Sequence, residues 1–294
     1  MPPAQSHWSG IVAMVLATGL FVVSDSLMKL TAQGLQPFQV LFMRGFFGLV
    51  SCSLLLVATG QMRQLGGALH WRAILRAMLE AAATFFYMAA LSAMPIADAI
   101  AIGQTAPLLV IVAMAVIFRE RIGAVRLALV CTGFLGALLV AQPGGAGLSP
   151  AALYAFVTAM MVATRDLLTR GTPSTIPTFV VLTTTTVVLT LATGCATLIH
   201  ESWMPPSLDQ WVTMAASGFI VTLGQMAIFL SYRRAPAGIV APYYYSFTVW
   251  AVIGGFLVWG EVPNGLAITG MVMIVASGLA LLFVRSRRTQ EAIA

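Results

Sequence analysis

The sequence predicts an all-α integral membrane protein of ten transmembrane helices, built as two five-helix inverted-topology repeats with both termini in the cytoplasm. Three observations carry this: an apolar composition, uncharged runs as long as a bilayer is thick, and basic residues gathered on one side. Apolar residues fill 60% of the 294 positions and charged residues 8%, which a water-facing surface does not allow. A hydrocarbon layer ~30 Å thick takes about 20 apolar residues per helix.

In chain order the spans fall near residues 8–29, 37–60, 72–92, 97–118, 124–142, 149–169, 176–199, 209–231, 237–260 and 264–284. The seventh, ninth and tenth carry no Asp, Glu, Lys or Arg, each of which costs about 2.5–3.5 kcal/mol at a helix centre on insertion scales. The runs are too long for barrel strands and lack their two-residue alternation. A cleavable signal peptide is not expected, because the first seven residues hold no Lys or Arg. Cys52, Cys131 and Cys195 fall inside spans and read as small packing residues.

Orientation follows from charge. The even-numbered connections and the C-terminal tail hold Arg63, Arg72, Arg76, Arg119, Arg121, Arg126, Arg165, Arg170, Arg233, Arg234, Arg285, Arg287 and Arg288, whereas the odd-numbered connections hold only Lys29. The positive-inside rule puts the basic side in the cytoplasm. The net charge of +6 then reflects loops beside anionic headgroups and needs no nucleic acid.

A fixed offset of 141 positions pairs Asp25 with Asp166, Lys29 with Arg170, Phe38 with Phe179, Pro95 with Pro236 and Glu120 with Glu261. Five spans per half is an odd number, so residues 1–145 and 146–294 would enter the membrane in opposite senses. Two halves of similar energy can exchange conformations around one central site, which is the architecture of a transporter. Pro107 and Pro242, inside the fourth and ninth spans, are hinge candidates or static kinks.

Specific segments support a family. The Asp25-to-Lys29 end of the first span, Phe38-Gln-Val-Leu-Phe-Met-Arg44, Met94-Pro-Ile-Ala-Asp98 running to Phe118-Arg-Glu120-Arg, and Arg234-Ala-Pro-Ala-Gly-Ile-Val-Ala-Pro-Tyr243 through Trp259-Gly-Glu261 resemble ten-helix, EamA-type members of the drug/metabolite transporter superfamily. The resemblance covers nearly the whole chain. It implies alternating-access transport of small metabolites across a bacterial inner membrane, with the aromatic amino acid exporters as the nearest comparison and no cofactor. A branch that takes up S-adenosylmethionine shares the Asp and Lys near the end of the first helix, the early Arg of the second, and an element like Ala241-Pro242-Tyr243. Export of toxic organic cations is a further family activity.

Ionisable and amide groups inside spans are the candidate site, since such groups usually face a bundle interior. Spacing of three and four aligns Arg76, Glu80, Thr84 and Tyr87 on one face of the third span. Glu80 there either binds a substrate ammonium or a proton, or pairs with Arg76. Arg44 lies about 10 Å from the outer end of its helix, near the depth of Asp25. The two either pair with each other or leave Arg44 to bind a carboxylate. Asp98, in the first turn of the fourth span, suits the helix dipole, with proton coupling as the rival role. Gln104, Gln225, Tyr243, Tyr244 and Trp250 are candidates for a hydrogen-bonding, aromatic-lined pocket, with plain packing as the alternative. Trp8, Trp71, Trp203, Trp211 and Trp259 read as interfacial belt residues.

An enzyme is not expected. His7, His70 and His200 lie at or outside span ends, and the chain has no His-Glu-x-x-His metal motif. The loops are too short for a receptor's ligand or effector domain, and no pore loop or charge ring suggests a channel. The expected partners are a small-molecule substrate and the bilayer. Gly133, Ala137 and Ala141 form a small-residue ridge for packing within a monomer or across a homodimer.

Overall fold

A computed structural model describes residues 7–58, 60, 70–117, 119, 123–142, 149–169 and 178–291. The helices are α1 (Trp8–Thr31), α2 (Pro37–Ala58), α3 (Trp71–Ala93), α4 (Ile96–Gly103), α5 (Ala106–Ile117), α6 (Ala124–Ala141), α7 (Pro150–Thr169), α8 (Thr178–His200), α9 (Leu208–Arg234), α10 (Ala237–Val240), α11 (Ser246–Trp259) and α12 (Gly265–Glu291). Among the described residues nine segments are long and apolar enough to cross a membrane, with α4 and α5 together counting as one. The tenth crossing is α10, a 3-10 turn over Ala241–Tyr245, and α11. Its interruption is why no single long helix marks it. Every helix start falls within two residues of its expected position, while α12 runs past its expected end to Glu291. Arg63, Glu120, Arg121 and Arg170 lie outside the described residues.

The helix ends and polar side chains show how the chain satisfies hydrogen bonds where lipid offers none. Ser207 caps α9 in a capping box with Gln210, and Asp209 in the first turn and Arg233 and Arg234 in the last suit the helix dipole. The Glu201 carboxylate, just after α8, accepts from the Phe38 and Gln39 backbone N–H groups, both at 2.9 Å, at the start of α2. The threonines of α8 donate back into their own helix. Thr184, Thr186, Thr190 and Thr197 each reach the carbonyl four residues earlier.

Packing partners come in matched sets. α1 packs most extensively on α9, and α3 does the same on α7; α2 lies on α9 as α3 lies on α8; α1 meets α11 as α7 meets α4 and α5. The pairs α2–α8, α6–α12 and α4–α11 join corresponding segments of the two halves. At α6–α12 backbone meets backbone, because a Cβ at Gly136 would lie 2.6 Å from the Gly270 carbonyl oxygen. Gly133 abuts Leu108 and Ser277. This face of the Gly133, Ala137, Ala141 ridge is therefore buried within the molecule.

The apolar core is unevenly distributed. The main cluster holds Met28, Leu41, Met43, Met88, Leu91, Ile96 and Met214, all near the helix ends farthest from the two termini. Among the described residues the end nearer the termini holds small separate clusters, such as Met14 with Ala235 and Val240, and Leu56 with Val180. On α5 only Ala106 and Leu108 are buried. Among the described residues the bundle is thus packed continuously at its distal end and more loosely at its terminal end.

Gly136→Val should lower the thermal midpoint of the purified protein markedly, since overpacking typically costs 1–3 kcal/mol and here the obstruction is backbone. Gly265→Ala, which adds a methyl where a Cβ meets nothing within 4 Å, should leave the midpoint unchanged in the same assay.

Candidate functional site

Two polar networks sit at different depths in the bundle. In the distal one, Asp25 on α1 accepts from Arg44 on α2 at 2.9 Å and from the Tyr87 hydroxyl on α3 at 2.9 Å. Arg44 also donates to Met28 Sδ at 3.1 Å. Burial of Asp25, only 5% exposed, would be prohibitive for a lone carboxylate, so the guanidinium and phenol are what permit it. The spacing places these groups about 9–10 Å from the distal ends of their helices. Of the two readings of Arg44, the ion pair is the one this conformation adopts.

One turn farther out, Lys29 donates to the Met94 carbonyl at 2.9 Å and to Glu261 at 3.1 Å, and lies 4.8 Å from the Trp259 ring centroid. Asp98 in the first turn of α4 is within electrostatic reach of both Lys29 and Glu261. Trp259 is accordingly a partner of Lys29 as well as a helix-end aromatic. Trp8, Trp71 and Trp203 are exposed at helix ends, as belt residues are.

The terminal network joins α3 to α7. Glu80 pairs with Arg165, which also grips Asp166 through Nη2 at 2.8 Å and Nε at 2.9 Å. Arg165 reaches Glu80 from α7, which packs along that face of α3, and Arg76 on the same helix is also within electrostatic reach of Glu80. Arg76 donates to Thr185 on α8 at 3.2 Å. Thr84 turns its hydroxyl back to the Glu80 carbonyl at 2.8 Å. Arg165, assigned from sequence to a cytoplasmic connection, instead stands inside α7 with its side chain 18% exposed.

The three tyrosines after Pro242 point three ways, as a tight turn dictates. Tyr243 is exposed, Tyr245 is buried against Gly278 of α12, and half-buried Tyr244 packs edge-on to Phe247 with centroids 6.0 Å apart. Tyr244 is within electrostatic reach of Glu80, Arg165 and Asp166 on one side and of Tyr87 on the other. It therefore lies between the two networks. Trp250 donates its indole N–H to the Val15 carbonyl at 3.0 Å, with its ring against Gly19, so it fastens α11 to α1. Gln225 is half-buried on α9, next to Gly224, whose backbone abuts Phe21.

The fourth span breaks between α4 and α5, at Gln104 and Thr105, and the ninth breaks at the 3-10 turn. Pro107 lies in the first turn of α5 and Pro242 in the 3-10 turn. Neither removes a bond from an intact helix, because each sits where a helix restarts. Gln104 Oε1 accepts from Thr248 on α11 at 2.7 Å, which ties the two broken spans together.

Sequence reasoning missed Thr248, Arg165 as a membrane-embedded group, and the Ser24–Ser217 contact, whose hydroxyls lie 2.9 Å apart across α1 and α9. The match of Asp25 to Asp166 was the available signal for Arg165, since it placed the neighbourhood of Asp166 opposite an intramembrane acid.

Arg44→Met should destabilise the protein by about 3–5 kcal/mol by leaving Asp25 buried without its counter-charge. The double variant Asp25→Asn with Arg44→Met should recover much of that loss. Thermal denaturation of the three proteins checks this, and a double variant no better than the single would remove the ion pair as the cause.

Comparison with known proteins agrees with this geometry. The chain is 29% identical to the pseudopaline exporter of Pseudomonas aeruginosa, over 93% of this chain and 95% of that one. It is 28% identical to a riboflavin transporter of Rhizobium johnstonii, over 75% and 73%. To the S-adenosylmethionine uptake transporter of Rickettsia prowazekii it is 21% identical, over 95% and 94%. A crystal structure with TM-score 0.68 and 19% identity, matching 95% of this chain and 98% of that one, shares the fold. The model of the EamA-like transporter family matches residues 8–142 and 149–284. Spanning the membrane many times and matching this family over almost its full length, the chain belongs to the EamA-like transporter family and is a transporter of small metabolites.

Proposed function

We propose that the protein exports small amino-acid-like metabolites across a bacterial inner membrane by alternating access, with both termini in the cytoplasm. The observation that carries this reading is a polar column, Asp25–Arg44–Tyr87, Tyr244 and Glu80–Arg165–Asp166, inside a bundle sealed at one end and loose at the other. A substrate with both charges finds both signs along that column without leaving either of its own unpaired. With the termini inside, the loose end faces the cytoplasm, where an exporter loads. The likeness to a pseudopaline exporter supports the outward direction.

The halves 1–145 and 146–294 act as the exchanging units. The offset pairs and the matched packing partners support this. The breaks at Gln104–Thr105 and Ala241–Tyr245 act as hinges, with α5 swinging most freely because so little of it is buried. The Arg165 bonds to Glu80 and Asp166 tie α3 to α7 on the substrate's path, so they exchange with substrate contacts during loading. Chemistry on the substrate is not part of this function. Uptake of a nucleoside-like compound is the second reading, favoured by the likeness to riboflavin and S-adenosylmethionine transporters. Its direction of flux distinguishes it.

Proteoliposomes loaded with labelled amino acids should show saturable counterflow, and Glu80→Gln should reduce it roughly tenfold or more through loss of one charge-assisted contact. Flux no greater than that of empty vesicles across a broad metabolite panel would remove the transport reading of this column. Reporter fusions at both ends should be active only in the cytoplasm, and termini on opposite faces would overturn the topology.

A further inference from the structure

Among the described residues three buried donors, Ser26 Oγ, Gln104 Nε2 and Trp259 Nε1, have no partner, and Gln104 is the one at the meeting of the two broken spans. Gln104 is 5% exposed; its Oε1 is engaged by Thr248, and its Nε2 meets no acceptor. Leaving an amide donor buried and unpaired costs about 1–3 kcal/mol, and lipid supplies no water to relieve it. Beside it, a Cβ at Gly103 would meet nothing within 4 Å. At the offset of 141 that relates the halves, Gly103 corresponds to Tyr244. The first half thus has no side chain at the position where the second carries a phenol. The twelve-residue helix α5 begins immediately afterwards, at Ala106, with its positive end toward the break.

We propose that this break is a substrate subsite, in which Gln104 Nε2 donates to a substrate carboxylate seated over Gly103. Thr248 is the positioning residue. By occupying Oε1 it fixes the amide so that Nε2, and not the oxygen, is left to donate to a ligand. The α5 dipole favours an anionic acceptor over a neutral one. The inference rests on the reading of the chain as an amino acid carrier and deepens it by assigning where the carboxylate goes.

The test is calorimetric titration of the full-length protein in lipid nanodiscs with a panel of free L-amino acids and their α-amides. An amino acid that binds should do so roughly ten- to hundredfold more tightly than its amide. Gln104→Glu keeps the size of the side chain and an acceptor for Thr248, and should weaken the free acid by at least roughly tenfold while sparing the amide. Gly103→Leu, which enters open space, should weaken both. Equal affinity for acid and amide would overturn the carboxylate assignment. Free-acid binding unchanged in both variants would overturn the subsite while leaving the carrier reading intact. No binding of any panel member by the wild type would overturn both.

Discussion

A polar group placed inside this bundle has only the chain or a bound ligand to pair with, because the surrounding hydrocarbon neither donates nor accepts. That constraint explains the threonines of α8 turning back on their own carbonyls, the Glu201 carboxylate capping α2, and the ion pairs made by Asp25 and Glu80. Asp25 is tolerable because Arg44 and Tyr87 fill both of its oxygens. Glu80 is tolerable because Arg165 reaches across from α7. Each satisfied charge also fastens helices to one another, so the chemistry that permits burial is the chemistry that holds the bundle in one arrangement.

A transporter needs such fastenings to be exchangeable. The distal contacts, Asp25–Arg44 and Lys29–Glu261, lie within or beside the continuous apolar cluster of Met28, Met43, Met88 and Leu91. The terminal pair Glu80–Arg165 lacks that seal and leaves Asp166 half open to its surroundings. In the proposed cycle this difference in packing, more than any difference in the charges, sets which end yields first. In that proposed cycle the local breaks in the fourth and ninth spans would confine the backbone change to a few residues and leave the long helices intact.

Much of the fold was legible in the sequence, because span length and hydropathy answer directly to bilayer thickness. Helix starts and the Asp25–Arg44 depth match were readable in this way. The partner of Glu80 was not. Periodicity places Arg76 on the same face of the same helix, but nothing in one helix's sequence reveals that α7 will lie against it. The roles of Tyr244 and Tyr245 were undetermined for a similar reason, since a 3-10 turn rotates successive side chains differently from the α-helix that the apolar run suggests. Trp250 read equally as a pocket wall or a packing residue, and its bond to the Val15 carbonyl across the interface is a contact that the sequence of one helix does not reveal.

The claim at the centre is that the two ends of the bundle open in opposition. Electron-spin distance measurements on the full-length protein, with Cys52, Cys131 and Cys195 replaced, test it through two label pairs. One joins exposed Ser92 and Leu208 at the distal end, the other Val116 and Arg234 near the terminal end. Each pair should give two distances whose populations shift in opposite directions when a transported substrate is added. A single distance at each end, unmoved by a substrate shown to be carried, would contradict it.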